Sequence, residues 1–236
     1  MLAVWKRELL SYFRTPIGYV FTGFFLLVAG LMFFFSNLAT GSSNIVNLLS
    51  QFTTILMFLV PVLTMRLFSE ERKNKSEQLL LTSPLSLTAI VTGKFLAAAA
   101  VYFLTLAGTG LFVLIVGLHA RIYWGEILTA YLGFYLMGCC YIAVGVFVSS
   151  MTENQVSAAV ATFGLNFVIW VVDSITYAVP SPAVSAVLEW LSLQKRYNVF
   201  IFSQLGASGV LYFLSFCVVF LFLTVRVIDK RRWSEG

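Results

Sequence analysis

Side chains that could do chemistry are few in this chain of 236 residues. The single histidine, His119, stands at the end of a long apolar run, and Cys139, Cys140 and Cys217 lie inside such runs without paired spacing. A zinc site needs several histidine, cysteine or carboxylate ligands, and a Ser–His dyad needs a histidine beside its nucleophile. The sequence therefore predicts no catalytic residue and no metal site, and the cysteines are interpreted as small buried apolar side chains.

One tetrapeptide, TGKF at Thr92–Phe95, contains the glycine–lysine pair of a phosphate-binding loop. The full pattern is GxxxxGK[ST], in which backbone amides hold phosphates and a hydroxyl binds magnesium. Thr88 replaces the first glycine here, and Phe95 replaces the hydroxyl residue. We therefore expect no cofactor on this chain, and an ATP-driven protein of this kind would need ATP and Mg bound by a partner subunit.

Two polar residues, Asp173 and Asn166, fall well inside apolar segments. A charge at the centre of a bilayer costs roughly 2.5–3.5 kcal/mol. Asp173 is therefore expected either to line a cavity or pair with a partner, or to reach the outer headgroups or water. Asn166, like Ser149, Ser150 and Thr152, is expected to form hydrogen bonds between helices, and it joins Asp173 as a candidate cavity residue.

The elements that must position these residues are long apolar helices. The chain is 60% hydrophobic and 11% charged, whereas a soluble domain is about a quarter charged. A membrane helix needs about 20 apolar residues, and six segments qualify: Ile17–Ser36, Leu48–Leu67, Phe95–Leu118, Ile127–Ser149, Val156–Val179 and Gly209–Val227. The predicted fold class is an all-α membrane protein with one transmembrane domain over residues 1–236, in which a bundle at 17–227 is followed by a tail at 228–236.

The distribution of positive charge predicts the orientation. With six spans, both termini lie on one side, and that side holds twelve of the fifteen Lys and Arg residues, against three on the other. Because positive residues are retained in the cytoplasm, we expect a multi-pass protein of the plasma (cytoplasmic) membrane with both termini cytoplasmic. The net charge of +5 is thus interpreted as orientation in the membrane, and no nucleic-acid partner is expected.

The first sixteen residues predict an interfacial amphipathic helix. Trp5, Leu9 and Phe13 recur at i, i+4 and i+8, which places them on one face suited to membrane lipid. Pro16 then separates this helix from the first span. The alternative is a short disordered tail.

The segment RLFSEERKNKSEQLLLTSPLSLTAIVTGK, Arg66–Lys94, carries charges and prolines between two apolar runs. Ser69 can begin a short helix, Glu71 and Lys75 form an i, i+4 pair, and Ser86 can cap the third span. Consecutive leucines point about 100° apart, so they cannot all face the membrane. We predict a transverse helix whose leucines enter a partner protein, with an interfacial helix on lipid headgroups as the alternative. Its residues are Ser76, Glu77, Gln78, Leu79, Leu80, Leu81, Thr82, Ser83 and Pro84.

The connection between the fifth and sixth spans is long and apolar. Pro180 and Pro182 end the fifth helix, AVSAVLEWLSL is typical of a short amphipathic helix, and VFIF could return into the bilayer. A re-entrant outer hairpin is one prediction, since irregular backbone at membrane depth must be buried by protein. An ordinary surface loop with an interfacial helix is the other.

Three stretches resemble the ABC-2 type transporter permeases. KRELLSYFRTPIGYV resembles the interfacial helix and the start of the first span, and Arg66–Ala97 resembles the family's cytoplasmic stretch between spans two and three. GVFVSSMTENQVSAAV, Gly145–Val160, resembles its turn between spans four and five. The resemblance covers nearly the whole chain and is nearest to the short branch that includes gliding-motility-associated transport components.

The resemblance implies a non-catalytic half-transporter. A second copy or a homologous permease would pair with it, and cytosolic ATP-binding subunits would dock on Ser76–Pro84, which would act as the coupling helix. The expected function is ATP-driven export or translocation. The alternatives are a secondary transporter, or a structural, force-transmitting subunit with an envelope accessory protein.

Overall fold

The computed structural model describes residues 1–74, 85–175, 189, 192–202 and 206–234, and all regular structure in these ranges is helical. This confirms the all-α fold class. Helices α1 to α10 are, in order, Leu2–Arg14, Pro16–Phe33, Ile45–Thr64, Ser69–Lys73, Leu87–Gly108, Gly110–Gly117, Trp124–Met151, Gln155–Ile175, Leu193–Ile201 and Ala207–Ser234.

Six of the described segments are long and apolar enough to cross a membrane. They are Pro16–Leu38, Ile45–Lys73, Leu87–Gly117, Trp124–Met151, Gln155–Val172 and Ala207–Arg231. Large apolar side chains are exposed along the peripheral helices, as at Leu27 in α2, Val160 in α8 and Val218 in α10. Such outward faces suit contact with lipid, so the chain is a multi-pass membrane protein.

Helices α3 and α7 form the centre of the bundle, since most of their side chains are buried. Close packing there depends on glycine. A Cβ added at Gly138 of α7 would stand 2.3 Å from the ring of Tyr102 in α5, and one at Gly145 would stand 2.2 Å from Thr64 Oγ1 in α3. The Tyr102 hydroxyl donates to the carbonyl of Phe134, 3.0 Å away. Glycine at these two positions therefore allows the close approach of α7 to α5 and α3.

We call the end of the bundle that carries α1 the near end, and the opposite end the far end. Between α1 and α2, Thr15 is extended and Pro16 occupies the first turn of α2. A Cβ at Gly18 would stand 2.6 Å from the carbonyl oxygen of Tyr12, so only glycine permits this tight return. The helix predicted for the first sixteen residues and its separation at Pro16 are both confirmed.

The third span differs from its prediction because it is divided at Thr109, where α5 ends and α6 begins. The Thr109 hydroxyl bonds to the carbonyl of Leu106 in the preceding turn and lies 3.1 Å from the Tyr131 hydroxyl. Gly108 and Gly110 flank it, and glycine has a low helix propensity. Local hydrogen bonding by a threonine between two glycines thus accounts for the break.

At the far end, α9 packs against the bundle. Leu193, Tyr197 and Phe200 are fully buried, and Gly133 of α7 leaves room for Phe200. The Ser192 hydroxyl caps α9 by accepting from the amide of Lys195 at 3.0 Å. Most of the predicted AVSAVLEWLSL helix lies outside the described residues, so the re-entrant hairpin stays a prediction.

Candidate functional site

The inward face of α1 is defined by Val4, Glu8 and Tyr12, which are spaced one helical turn apart. Val4 and Tyr12 are buried, and a Cβ at Gly93 of α5 would touch Val4 at 3.1 Å. Gly93 therefore allows α1 to pack closely against α5. The acid between the two buried positions, Glu8, faces the same surface.

Trp5, Leu9 and Phe13 lie beside this face and are half-buried, packed partly against the core. Their shared face is confirmed by the helix register, but the most buried side of α1 is the neighbouring one. Amphipathic spacing alone does not distinguish a lipid-facing side from a protein-facing side when both are apolar.

Lys94 is the centre of the site. It lies two turns into α5, and its side chain is only 1% exposed. Its ammonium group is 2.8 Å from Glu71 Oε1 of α4, 3.2 Å from Glu8 Oε1 of α1, and 2.7 Å from the carbonyl oxygen of Leu67. An ammonium has three donors, so all three are used, each toward a different part of the near end.

The carbonyl of Leu67 follows the last turn of α3, where backbone acceptors lack partners within the helix. Lys94 satisfies this acceptor, and its ammonium also lies 5.0 Å from the centre of the Phe68 ring. The lysine thus joins the ends of α3 and α4 to α5 through both backbone and side chain.

Arg7 completes the charged cluster, which we define as Arg7, Glu8, Glu71 and Lys94. Its guanidinium lies 2.9 Å from Glu8 and 3.1 Å from Glu71. Burial alone would raise the pKa of Glu8, but the positive charges of Lys94 and Arg7 outweigh burial, so its pKa lies below the ordinary value. The hydrogen bond to Glu8 is the main cause that raises the pKa of Arg7. Burial raises the pKa of Glu71 despite the nearby positive charges, so the two acids of the cluster are shifted in opposite directions.

Two further contacts fix α1 to the end of α3. The Tyr12 hydroxyl donates to the carbonyl of Leu63 at 2.8 Å, and the Arg66 guanidinium donates to Thr15 Oγ1 at 2.9 Å. Arg66 also pairs with Glu70 at 2.8 Å. A cleft of about 310 Å³ lies beside these groups and the charged cluster.

On its other side, α4 is attached to the end of α7 by Ser149. The Ser149 hydroxyl donates to the carbonyl of Met65 at 3.1 Å and accepts from the amides of Phe68 and Ser69 at 3.1 and 3.3 Å. Helix α4 begins at Ser69, as predicted. The expected hydrogen bonding between helices is confirmed for Ser149, whereas Ser150 bonds within its own helix to Phe147.

Arg72 adds a charged contact in the same place. Its guanidinium donates to the carbonyl of Met151 at 2.9 Å and pairs with Glu153 at 2.8 Å. Helix α4 is therefore fixed to α1 and α5 by the charged cluster, and to the turn between α7 and α8 by Ser149 and Arg72. The segment 75–84 follows directly.

The predicted site residues have different outcomes. The coupling segment Ser76–Pro84 and Lys75 lie outside the described residues, and so does the side chain of Asp173. Glu71 contacts Arg7 and Lys94, and its predicted pairing with Lys75 stays a prediction because Lys75 is outside the described ranges. The Ser86 cap is confirmed, since its hydroxyl accepts from the amide of Ala89 at 3.3 Å.

The prediction that Asn166 forms hydrogen bonds between helices is wrong. It is fully buried, and neither its amide nitrogen nor its oxygen has a hydrogen-bond partner within the described residues. It consequently lines no surface open to solvent. A polar residue type in a span does not guarantee a polar residue opposite it.

Sequence reasoning missed the roles of Glu8 and Lys94. Lys94 ends the charged segment Arg66–Lys94, yet it stands in the run TGKFLAAAA, where one charge among apolar residues indicates a buried partner. Glu8 is the only acid among the first 69 residues and lies one turn from both Val4 and Tyr12. These two signals together could have predicted the pair.

The fold and the near-end contacts define a multi-pass, all-helical membrane protein whose short helix α4 is fixed between two parts of the bundle. Residues 35–225 match the family described as ABC-2 family transporter protein. Because this match covers most of the chain, the chain belongs to that family. It is thus a membrane permease component of an ATP-binding cassette transporter, and the family implies an ATP-binding partner subunit. A comparison with curated proteins gave no match.

Proposed function

We propose that this chain is the six-span permease subunit that converts ATP hydrolysis by a separate cytosolic subunit into translocation across the cytoplasmic membrane. The near end would face the cytoplasm, as the distribution of Lys and Arg indicates. ATP and Mg would be bound by the partner subunit, and a second copy or a homologous permease would complete the transporter.

The observation that carries this proposal is the position of α4. It immediately precedes the segment Ser76–Pro84, which resembles the coupling helix of the family. Lys94 connects α4 to α5 and α1, while Ser149 and Arg72 connect it to α7 and the turn that follows. A displacement of the segment by an ATPase would therefore reach several spans at once.

A ligand or partner can shift a two-state protein only through contacts that differ between the states. The segment Ser76–Pro84 would supply such contacts to the ATPase, and the charged cluster would make α1, α4 and the near end of α5 move together. Lys94 would resist relative movement of these helices, because moving it away from both Glu8 and Glu71 would leave a buried cation without an acidic partner.

The direct test is purification of the tagged chain from its native membranes, with measurement of ATP hydrolysis and identification of the retained subunits. The double substitution Leu79→Asp/Leu80→Asp should release the ATP-binding subunit and abolish the hydrolysis that copurifies. Leu118→Asp is the control, since it places one such charge on an exposed leucine at the far end. A wild-type complex without an ATP-hydrolysing subunit, or unchanged retention in the double variant, would contradict the proposal.

A further inference from the structure

Helix α8 carries two buried polar side chains on one face. Thr162 and Asn166 are each 0% exposed and stand one helical turn apart, in line with the buried Ala158. Helix α8 packs on α3 and α7, and Phe163 meets Phe58 of α3 at a ring distance of 5.1 Å. Thr162 and Asn166 therefore face the interior of the bundle.

Three of their polar atoms have no hydrogen-bond partner in the described part of the chain: the Thr162 hydroxyl and both the nitrogen and the oxygen of the Asn166 amide. A threonine in a helix commonly donates to the carbonyl four residues earlier, as Thr224 does to Phe220 at 2.8 Å. Thr162 does not. A buried polar group without a partner costs about 1–3 kcal/mol or more, so these three atoms together call for a polar occupant.

Burial and charge limit what that occupant can be. Because both side chains are fully buried, neither a lipid headgroup nor a second copy of the chain reaches them without opening the bundle. Both groups are neutral, which disfavours an ion at this depth. A water molecule is neutral, small, and able to donate and accept at once.

We propose that Thr162 and Asn166 bind one internal water molecule between α8 and the helices α3 and α7. Side chains one turn apart have Cβ atoms about 5–6 Å from each other, which two hydrogen bonds of about 2.8 Å through one water oxygen can span. The three polar atoms match the roughly three hydrogen bonds that a buried water usually makes. This proposal is independent of the transport function proposed above.

Radiolytic footprinting of the full chain in lipid nanodiscs, in water enriched in oxygen-18, tests the site. A bound water becomes a local source of hydroxyl radicals, so the aromatic rings of Phe163 and Phe167 should incorporate oxygen. Asn166→Leu should reduce incorporation in segment 155–175 by about threefold or more, because a water with few partners is poorly held. Thr162→Val, which keeps side-chain volume, should do the same, and it keeps the test decisive if the Asn166 variant folds poorly.

Thr224→Val is the matched control, since it removes a buried hydroxyl that is already bonded within its helix. It should leave incorporation in segment 155–175 at the wild-type level. Equal incorporation in wild type, Thr162→Val and Asn166→Leu would overturn the proposal. A rise in the thermal unfolding temperature of Asn166→Leu would also overturn it, because replacement of an unsatisfied amide by an apolar side chain is stabilising whereas loss of a bound water is not.

Discussion

The Lys94 ammonium lies between two carboxylates, 2.8 Å from Glu71 and 3.2 Å from Glu8, and these acids belong to helices that are distant in the sequence. One side chain thereby fixes α1 and α4 to α5. A buried cation with two acidic partners is sensitive to the loss of any member, since each charge compensates the desolvation of the others.

We predict that Lys94→Met destabilises the folded protein by about 3–5 kcal/mol, because it leaves two carboxylates close together in a buried place. Denaturant unfolding of the protein in detergent or nanodiscs would measure this change. The triple substitution Glu8→Gln/Glu71→Gln/Lys94→Met is the control and should recover most of the loss, since the one charge of the cluster that remains, Arg7, is largely exposed to solvent. Equal stability of the single and triple variants would show that the charges are not coupled.

The charge on Glu8 predicts a dependence on pH. Its pKa in the folded protein lies below the ordinary value, so its contribution is fully present at neutral pH and is lost as the pH falls through the folded pKa. The difference in thermal unfolding temperature between wild type and Glu8→Gln should be largest near about pH 7 and should shrink below about pH 4. A difference that grew on acidification would contradict the direction of the shift.

Ser149→Ala removes the hydroxyl that accepts from the amides of Phe68 and Ser69. We expect a loss of about 1–3 kcal/mol, because buried backbone donors are left without a partner. In the assembled transporter, ATP hydrolysis should also become less tightly coupled to transport. Ser150→Ala is the matched control, since its hydroxyl bonds only to Phe147 in the same helix. The experiment compares unfolding and ATPase activity of the two variants in the assembled complex.

Gly138→Ala should prevent close packing of α7 on α5, since its Cβ would stand 2.3 Å from the Tyr102 ring. Gly164→Ala of α8 is the control, because no atom lies within 4 Å of its Cβ. We expect Gly138→Ala to cost about 1–3 kcal/mol by overpacking, whereas Gly164→Ala should be neutral or stabilising by about 0.5–1 kcal/mol. Parallel thermal unfolding distinguishes the two, and equal shifts would contradict the packing.

Cys140 of α7 and Cys217 of α10 have sulfur atoms 3.7 Å apart in the buried core. We predict that a membrane-permeant oxidant such as diamide joins them, because the sulfurs need to approach by only about 1.6 Å to reach bonding distance. Mass spectrometry of a non-reduced digest would detect the linked peptides. Cys139→Ser should leave the linkage unchanged and Cys217→Ser should remove it, while a Cys139–Cys140 product would point to a different geometry.

The six spans could be predicted because each is a long apolar run, and the turn at Pro16 because proline restricts its neighbours. The site could be predicted only in part. Ser149 was recognised as a polar residue at a helix end, but its partners are backbone amides about eighty residues earlier in the sequence. Nothing in a linear pattern pairs them, because the pairing arises from tertiary packing of α3 against α7.

The position of Lys94 illustrates the same limit. The third span is predicted to begin at Phe95, just after Lys94, yet α5 begins at Leu87 and places the lysine two turns inside the helix. Local propensity explains the early start, since Ser86 caps the helix. Only the arrival of Glu8 and Glu71 from elsewhere makes a buried lysine tolerable.

Helix α10 contains 28 residues, which corresponds to about 42 Å at 1.5 Å per residue and exceeds the roughly 30 Å of a hydrocarbon core. Its final turns must therefore project past the acyl chains at the near end, where Arg226 lies over the ring of Phe222 at 4.9 Å and Lys230 is exposed. Translation of this helix toward the far end would move those cations into the hydrocarbon core. The free-energy cost is about 2.5–3.5 kcal/mol for each cation that reaches the midplane. The basic terminus therefore opposes translation of the sixth span along its axis toward the far end. Tilting or rotation of this helix meets less resistance.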